Sequence, residues 1–394
     1  MITLLHALFE RFKYLVQSWP AWLVLLSTLG LSVAGIFAIG TVEPKYAATQ
    51  MTLWLPASLL FMVLCLLPHP RSIGLSSYVF FGGSILMLAY LLVPGAPRAK
   101  TVNGAVSWLD LGVMNFQPSE LAKVTFVLAV AWYLSYRESH RELKGLVPPF
   151  SLMLAPQLLI LKQPALGMAM LFPAMLFAML LAAGAKLRHL ISLTTIGLTL
   201  IVLVFINTLW AKPEHRILKP YQQVRIESLY KGWIGDNSME RDEGYQQGHG
   251  MTLIAAAGVR GYRDQAGNLI RLNSLPEDHT DMVFCVVAAR WGLMGITGLF
   301  GFYLSLVGGM LAVAAKSTDP FTRLCCVGFA ALFLAQMAAN VGMCLGLLPI
   351  TGLPLPFISY GGSSLLCNCG MIGLVLNFAS RPNGRTIRQS FEFN

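Results

Sequence analysis

Charge is what this chain has least of. Only 12% of its 394 residues are Asp, Glu, Lys or Arg, roughly half the share found in soluble domains. So few charges cannot cover a water-facing surface, and the hydrophobic fraction is correspondingly high at 56%, with a mean hydropathy of +0.64. Several chemical motifs are also absent. No G-x-x-x-x-G-K-[ST] loop occurs, which argues against nucleotide-driven work, and there is no H-E-x-x-H pair and no G-x-S-x-G nucleophile elbow. The seven cysteines (Cys65, Cys285, Cys325, Cys326, Cys344, Cys367 and Cys369) lie mostly inside apolar runs. They imply no disulfide framework, and Cys367-Asn368-Cys369 suits packing better than metal ligation. Ten-residue segments of alternating polarity are missing, which excludes a membrane β-barrel. The first residues lack a cleavage site, so the first apolar run is expected to act as an uncleaved anchor.

What is present are apolar blocks of the length a bilayer requires, about 20 residues per helix. Ten spans are expected, near residues 21–41, 52–68, 75–94, 119–136, 147–162, 165–184, 188–210, 282–314, 321–347 and 360–379. The fold class is therefore all-α: a single polytopic membrane domain over residues 1–394, with a large loop, 211–280, between helices 7 and 8. Lys162-Gln163-Pro164 separates the fifth and sixth spans by a tight turn. The 282–314 run exceeds a bilayer's thickness, so it is expected to tilt or to project its first turns beyond the membrane. Residues 253–258 suit a re-entrant or interfacial helix.

The net charge of +10 does not point to nucleic acid, because the cations are scattered over short loops rather than gathered on one face. Their asymmetry sets orientation. Arg11, Lys13, Arg71, Arg137, Arg141, Lys144, Lys186, Arg188, Lys316, Arg323, Arg381, Arg385 and Arg388 fall on one side; Lys45, Arg98, Lys100 and Lys162 fall on the other. Both termini are thus expected in the cytoplasm and the 211–280 loop outside.

Unusual polar groups collect at the outer ends of the spans. Asp281 stands where a polar loop meets an apolar run, a place where a carboxylate is either a helix cap or functional. Glu120 and Lys123 are three apart and share one helix face, as a structural ion pair or as working groups. Gln336 and Asn340 share another face, suited to interhelical hydrogen bonds. The stretch from Gly346 to Ser364 is rich in Pro and Gly, and would form either the floor of a substrate cavity or a rigid connection. His249, His279 and Glu277 lack the spacing of a dedicated metal site.

Taken together these stretches closely resemble the SEDS family of shape, elongation, division and sporulation proteins. The matching residues are Asn103-Gly104-Ala105 with Trp108-Leu109, Phe116 through Lys123, Gly244-Tyr245-Gln246, Leu275-Pro276-Glu277 with His279-Thr280-Asp281, and Asn340 through Ser364. The resemblance covers most of residues 20–380. It implies a peptidoglycan glycosyltransferase that polymerises lipid II, releases undecaprenyl diphosphate at the outer face of the bacterial cytoplasmic membrane, and acts with a class B penicillin-binding protein. It places the family's essential acid on Asp281 and its Glu and Lys on Glu120 and Lys123. In this reading Asp281 is the general base, Lys123 with Arg260 or Arg263 steadies the leaving diphosphate, and Glu120 orients Lys123. Substrate-binding positions would include Glu277, His279, Gln246, Ser359, Ser363, Ser364, Gln336 and Asn340. No cofactor is required by the sequence, although a divalent cation on the diphosphate fits the chemistry.

Three positions depart from the family. Gln163-Pro164-Ala165-Leu166-Gly167 lacks the usual Asp, Ala289-Arg290 replaces paired glutamates, and Val106-Ser107 lacks a basic residue before Trp108. They keep two other classes open. One is a flippase for a lipid-linked precursor, which would need polar groups continuing through the cytoplasmic half. The other is a catalytically weakened scaffold for the synthase.

Overall fold

The computed structural model describes residues 13–102, 105–112, 114–234, 245–261 and 280–381. Every apolar run read from the sequence is helical. Seven of the described helices carry Pro in the first turn, where its missing N–H costs no hydrogen bond: α1 (Trp19–Val42), α2 (Pro44–Leu64), α3 (Pro70–Tyr90), α4 (Pro118–Ser135), α5 (Val147–Lys162), α8 (Pro220–Trp233) and α11 (Pro320–Cys344). The others are α6 (Leu166–Ala182), α7 (Leu187–Trp210), α9 (Tyr245–Ala256), α10 (Val283–Lys316) and α12 (Gly362–Ala379). Asp319 caps α11 by accepting from the Thr322 backbone N–H at 3.0 Å and its hydroxyl at 2.7 Å.

Among the described residues eight helices are long and apolar enough to cross a membrane, and α6, with 17 residues, falls just short of that length. Burial sorts them from centre to edge: 83% of the apolar window of α12 is buried but only 6% of that of α7. The core runs along α4, α6, α11 and α12. Phe126 meets Phe172 edge-on at 5.2 Å, and Trp132 meets Phe321 at 5.4 Å. Lipid is as apolar as leucine, so such close fitting rather than water exclusion holds these helices together.

Two features modify the all-α expectation. Between α3 and α4 the chain forms a small antiparallel sheet, β1 (Ala99–Val102), β2 (Ala105–Asp110) and β3 (Asn115–Phe116), with Lys100 opposite Trp108 and Leu109 opposite Phe116. The sheet delivers the chain into α4. The long 282–314 run is not one continuous helix: α10 is broken at Gly292, whose φ of 61° and ψ of −152° lie outside helical space. The turn after α9 docks into the break. Leu293 N–H donates to the Gly258 carbonyl at 3.0 Å and Met294 N–H to that of Val259 at 3.2 Å. A Cβ on Gly292 would stand 2.5 Å from the Gly261 nitrogen, so only glycine allows this approach. Residues 253–256 belong to α9 and 257–260 to this turn, rather than to a separate helix.

Candidate active site

The segment 345–361 has no regular structure, yet it packs inside the bundle. Its backbone groups therefore need side-chain partners, and the buried polar residues supply them. On α11, Gln336 Nε2 donates to the Pro354 carbonyl at 2.8 Å. One turn further, Asn340 Nδ2 donates to the Leu353 carbonyl at 2.7 Å and to the Asp281 carbonyl at 2.8 Å. The Ser359 hydroxyl donates to the Thr280 carbonyl at 2.5 Å and accepts from Leu355 N–H at 2.7 Å. Tyr303 O–H donates to the Pro356 carbonyl at 2.5 Å. Gln50 bridges the Ser359 carbonyl and Gly361 N–H, both at 3.3 Å.

This lattice fixes the turn that carries Asp281. The turn is clamped through the carbonyls of Thr280 and Asp281, while the Asp281 side chain stays half-buried. Its carboxylate lies over Gly352: a Cβ there would come 3.3 Å from Asp281 Oδ2. Gly352 has a φ of +65°, so glycine both permits the turn and leaves room for the carboxylate.

Glu120 and Lys123 occupy a different environment. Both side chains are fully buried, with Lys123 Nζ 3.0 Å from each Glu120 oxygen and 3.2 Å from Gln336 Oε1. The geometry of Glu120 Oε2 is poor for a hydrogen bond, although it is close enough for charge pairing. Gln336 thus joins the ion pair to Pro354 and so to the loop beneath Asp281. The Lys123 ammonium donates to two acceptors, Glu120 Oε1 and Gln336 Oε1, and has no exposed surface. Ser359 and Ser363 are likewise buried, at 7% and 1% exposure, and among the described residues the Ser363 hydroxyl has no hydrogen-bond partner. Ser364 is half-buried and accepts from Asn368 Nδ2 at 3.4 Å.

The loop between α7 and α10 contributes through a neighbour of the residue singled out in the sequence. Gln246 is half-buried, whereas Gln247 is buried and its Nε2 donates to the Met343 and Leu348 carbonyls at 2.7 and 2.8 Å. Gln247 thereby pins α9 to the end of α11. The Trp233 indole N–H adds a second tether, to the Gly346 carbonyl at 2.8 Å. Arg260 is exposed on the turn docked at the α10 break. Arg263, Glu277 and His279 lie outside the described residues. No group of three or more His, Cys, Asp or Glu side chains suited to a metal exists among the described residues.

The positions that depart from the family also find their places. Arg290 lies two residues before the break in α10, and its backbone abuts Gly261 there. Ala165 precedes α6, and a Cβ on Gly167 two residues later would lie 2.6 Å from the Thr351 carbonyl. An Asp at 165 would thus sit close to the segment under Asp281. Beside it, Lys162 and Gln163 line a cavity of about 390 Å³ between the α5–α6 turn and the end of α3.

Comparison with known proteins agrees with this architecture. The family model for the FtsW/RodA/SpoVE cell cycle proteins matches residues 17–383. A probable peptidoglycan glycosyltransferase FtsW of Coxiella burnetii is 31% identical over 380 residues, covering 92% of this chain and 96% of its own. The peptidoglycan glycosyltransferase MrdB of Escherichia coli K12 is 31% identical over 361 residues, covering 90% and 91%. Among solved structures, a chain of a peptidoglycan synthase complex that coordinates polymerization and crosslinking superposes with a TM-score of 0.76 at 31% identity, covering 92% of this chain and 98% of that one. The Thermus thermophilus rod shape determining protein RodA gives a TM-score of 0.67 at 28% identity, covering 92% and 97%.

Proposed function

The chain belongs to the FtsW/RodA/SpoVE family, and on that premise we propose that it is a peptidoglycan glycosyltransferase that polymerises lipid II. The acceptor 4-hydroxyl attacks C1 of the donor sugar, the C1–O bond to the diphosphate breaks, and undecaprenyl diphosphate leaves with the bonding pair. The hydroxyl proton passes to the Asp281 carboxylate, a transfer worth about 10²–10⁴-fold in rate. The observation that carries this assignment is the contrast between the two acidic positions. Asp281 is half-exposed on a turn clamped through its backbone, whereas Glu120 is fully buried and neutralised by Lys123.

The Glu120–Lys123–Gln336 cluster is a positioning unit, fixing the floor on which Asp281 rests. Charge on the departing diphosphate is met by outer cations such as Arg260 and by a divalent cation accompanying the substrate. The chain lies in the bacterial inner membrane with ten spans and both termini in the cytoplasm, and works with a class B penicillin-binding protein that crosslinks the product. The placement of buried ionisable groups supports an enzyme over a flippase. Among the described residues these are Glu120 and Lys123 near the Asp281 end, and His140 and Asp319 at the other end of the helices. Between the two ends the buried polar side chains are neutral ones, such as Ser84, Thr125, Asn368 and Asn377.

The test is polymerisation of labelled lipid II by the purified chain with its cognate partner, resolved on a gel. Wild-type protein should make glycan polymer, and Asp281→Ala should be at least a hundredfold slower. Unchanged polymer from Asp281→Ala would remove it as the base. No polymer from the wild type, with lipid II crossing vesicle bilayers instead, would favour the flippase.

A further inference from the structure

At the end of the bundle away from Asp281, α1, α10 and α12 leave a cavity of about 170 Å³. At about 30 Å³ per water, this is room for roughly five waters or one compact headgroup. Lys316, Ser317, Ser18, Gln17 and Tyr14 line it on one side, and Phe378 forms part of an apolar wall. Every polar side chain in the lining can donate a hydrogen bond, and none is a carboxylate.

Lys316 is the charged member. Its ammonium lies 4.9 Å above the centre of the Trp19 ring, and no carboxylate among the described residues pairs with it. Stacking on a ring orients an ammonium without neutralising it, so the charge stays available to an anion. Ser18 occupies the N-cap of α1 without making a side-chain cap bond, and Ser317 makes only a long 3.4 Å contact to the Asp319 carbonyl. The start of α1, the positive end of its dipole, opens on the same space.

Depth identifies the anion. Lys316 ends a membrane-crossing helix, and Trp19 and Trp22 beside it are 56% and 43% exposed. That is the aromatic level of a membrane interface, where phospholipid phosphates lie. Basic pockets between membrane helices at this depth suit anionic headgroups. The cavity is too small for a nucleotide, and its apolar wall matches the glycerol carbons that follow a phosphodiester. We propose that this cavity binds the phosphodiester of an anionic phospholipid, with Lys316 as its cation and the Ser18 and Ser317 hydroxyls as further donors. The lipid would tie the start of α1 to the ends of α10 and α12. Because α10 begins two residues after Asp281, it would steady the helix that leads from the active-site turn.

The test uses the purified full chain in a zwitterionic detergent, titrated with phosphatidylglycerol, phosphatidylcholine or inorganic phosphate. Bound lipid is counted by native mass spectrometry and thermal unfolding is followed in parallel. Phosphatidylglycerol should be retained and should raise the unfolding midpoint saturably, while the other two should do neither. Lys316→Ala should weaken its apparent affinity about fivefold and Lys316→Glu more, while Lys316→Arg should restore it. Lys144→Glu, on a loop at the same end but outside the cavity, should leave it unchanged. An equal response to phosphatidylcholine, or full phosphatidylglycerol affinity in Lys316→Glu, would overturn the site. A shift with inorganic phosphate alone would overturn the lipid as its occupant. Should Lys316→Glu fail to fold, Ser18→Ala/Ser317→Ala provides the second variant, and unaltered affinity there with Lys316→Ala also unaltered would count against the proposal.

Discussion

Asn340 divides one amide nitrogen between the carbonyls of Asp281 and Leu353. Asn340→Ala leaves both carbonyls without it, and a buried polar group left unsatisfied costs about 1–3 kcal/mol. Polymerisation should therefore fall by tenfold or more although the substitution touches no substrate; gel assays at matched protein levels check this. Glu120 and Lys123 make a sharper case. Removing one partner of a buried pair costs about 3–5 kcal/mol, because the other charge remains. Lys123→Met or Glu120→Gln alone should lower the unfolding midpoint strongly, whereas the double variant should recover much of the loss. A loss in the double variant equal to the sum of the two single losses would show that the pair is not coupled. Asp281, Glu120, Lys123, Gln336 and Asn340 were legible in the sequence because such groups are rare beside apolar runs. Gln247 was not, because it stands in a polar stretch next to Gln246 and differs only in which way the helix turns it. Gln50 offered a faint signal as an amide entering an apolar run, at the start of the π-turn Gln50–Trp54, a distortion common at functional sites.

The helices themselves were legible from run length, since a bilayer imposes its own ruler. The break in α10 was not. Gly292, Gly295, Gly298 and Gly301 follow one another at similar spacing, and nothing local singles out the first. The choice is made by the 258–261 turn, which occupies the gap and bonds Leu293 and Met294. The strands of the small sheet have four, six and two residues, too few for a period to show. The broken helix implies that the outer loop and α10 stand or fall together. Gly292→Ala must place a methyl 2.5 Å from the Gly261 nitrogen, at a φ of 61° that alanine resists. The α9 segment should then exchange amide hydrogens faster and be nicked by protease sooner. Gln247→Ala should act in the same direction, and more strongly than Gln246→Ala.

For the molecule as a whole, the charge asymmetry of short loops sets an orientation that chemistry can check. Of the seven cysteines six are buried and Cys65 is half-buried, so native thiols give little background to a bulky maleimide. A membrane-impermeant maleimide should label Lys45→Cys in intact cells and Lys144→Cys only after permeabilisation. The reverse pattern would invert the topology.

Periphery has its own meaning for α7. This 24-residue helix has only 6% of its apolar window covered by protein, and at 1.5 Å per residue it is about 36 Å long, against roughly 30 Å of hydrocarbon. Acyl chains therefore serve as its main packing partner, and they must either thicken around it or let it lean. Its far end leads through α8 and the Trp233 tether to Gly346, at the edge of the loop beneath Asp281. The solvent chosen for extraction is thus a structural variable: a detergent or nanodisc of the wrong thickness changes the surroundings of a helix that the rest of the protein scarcely restrains.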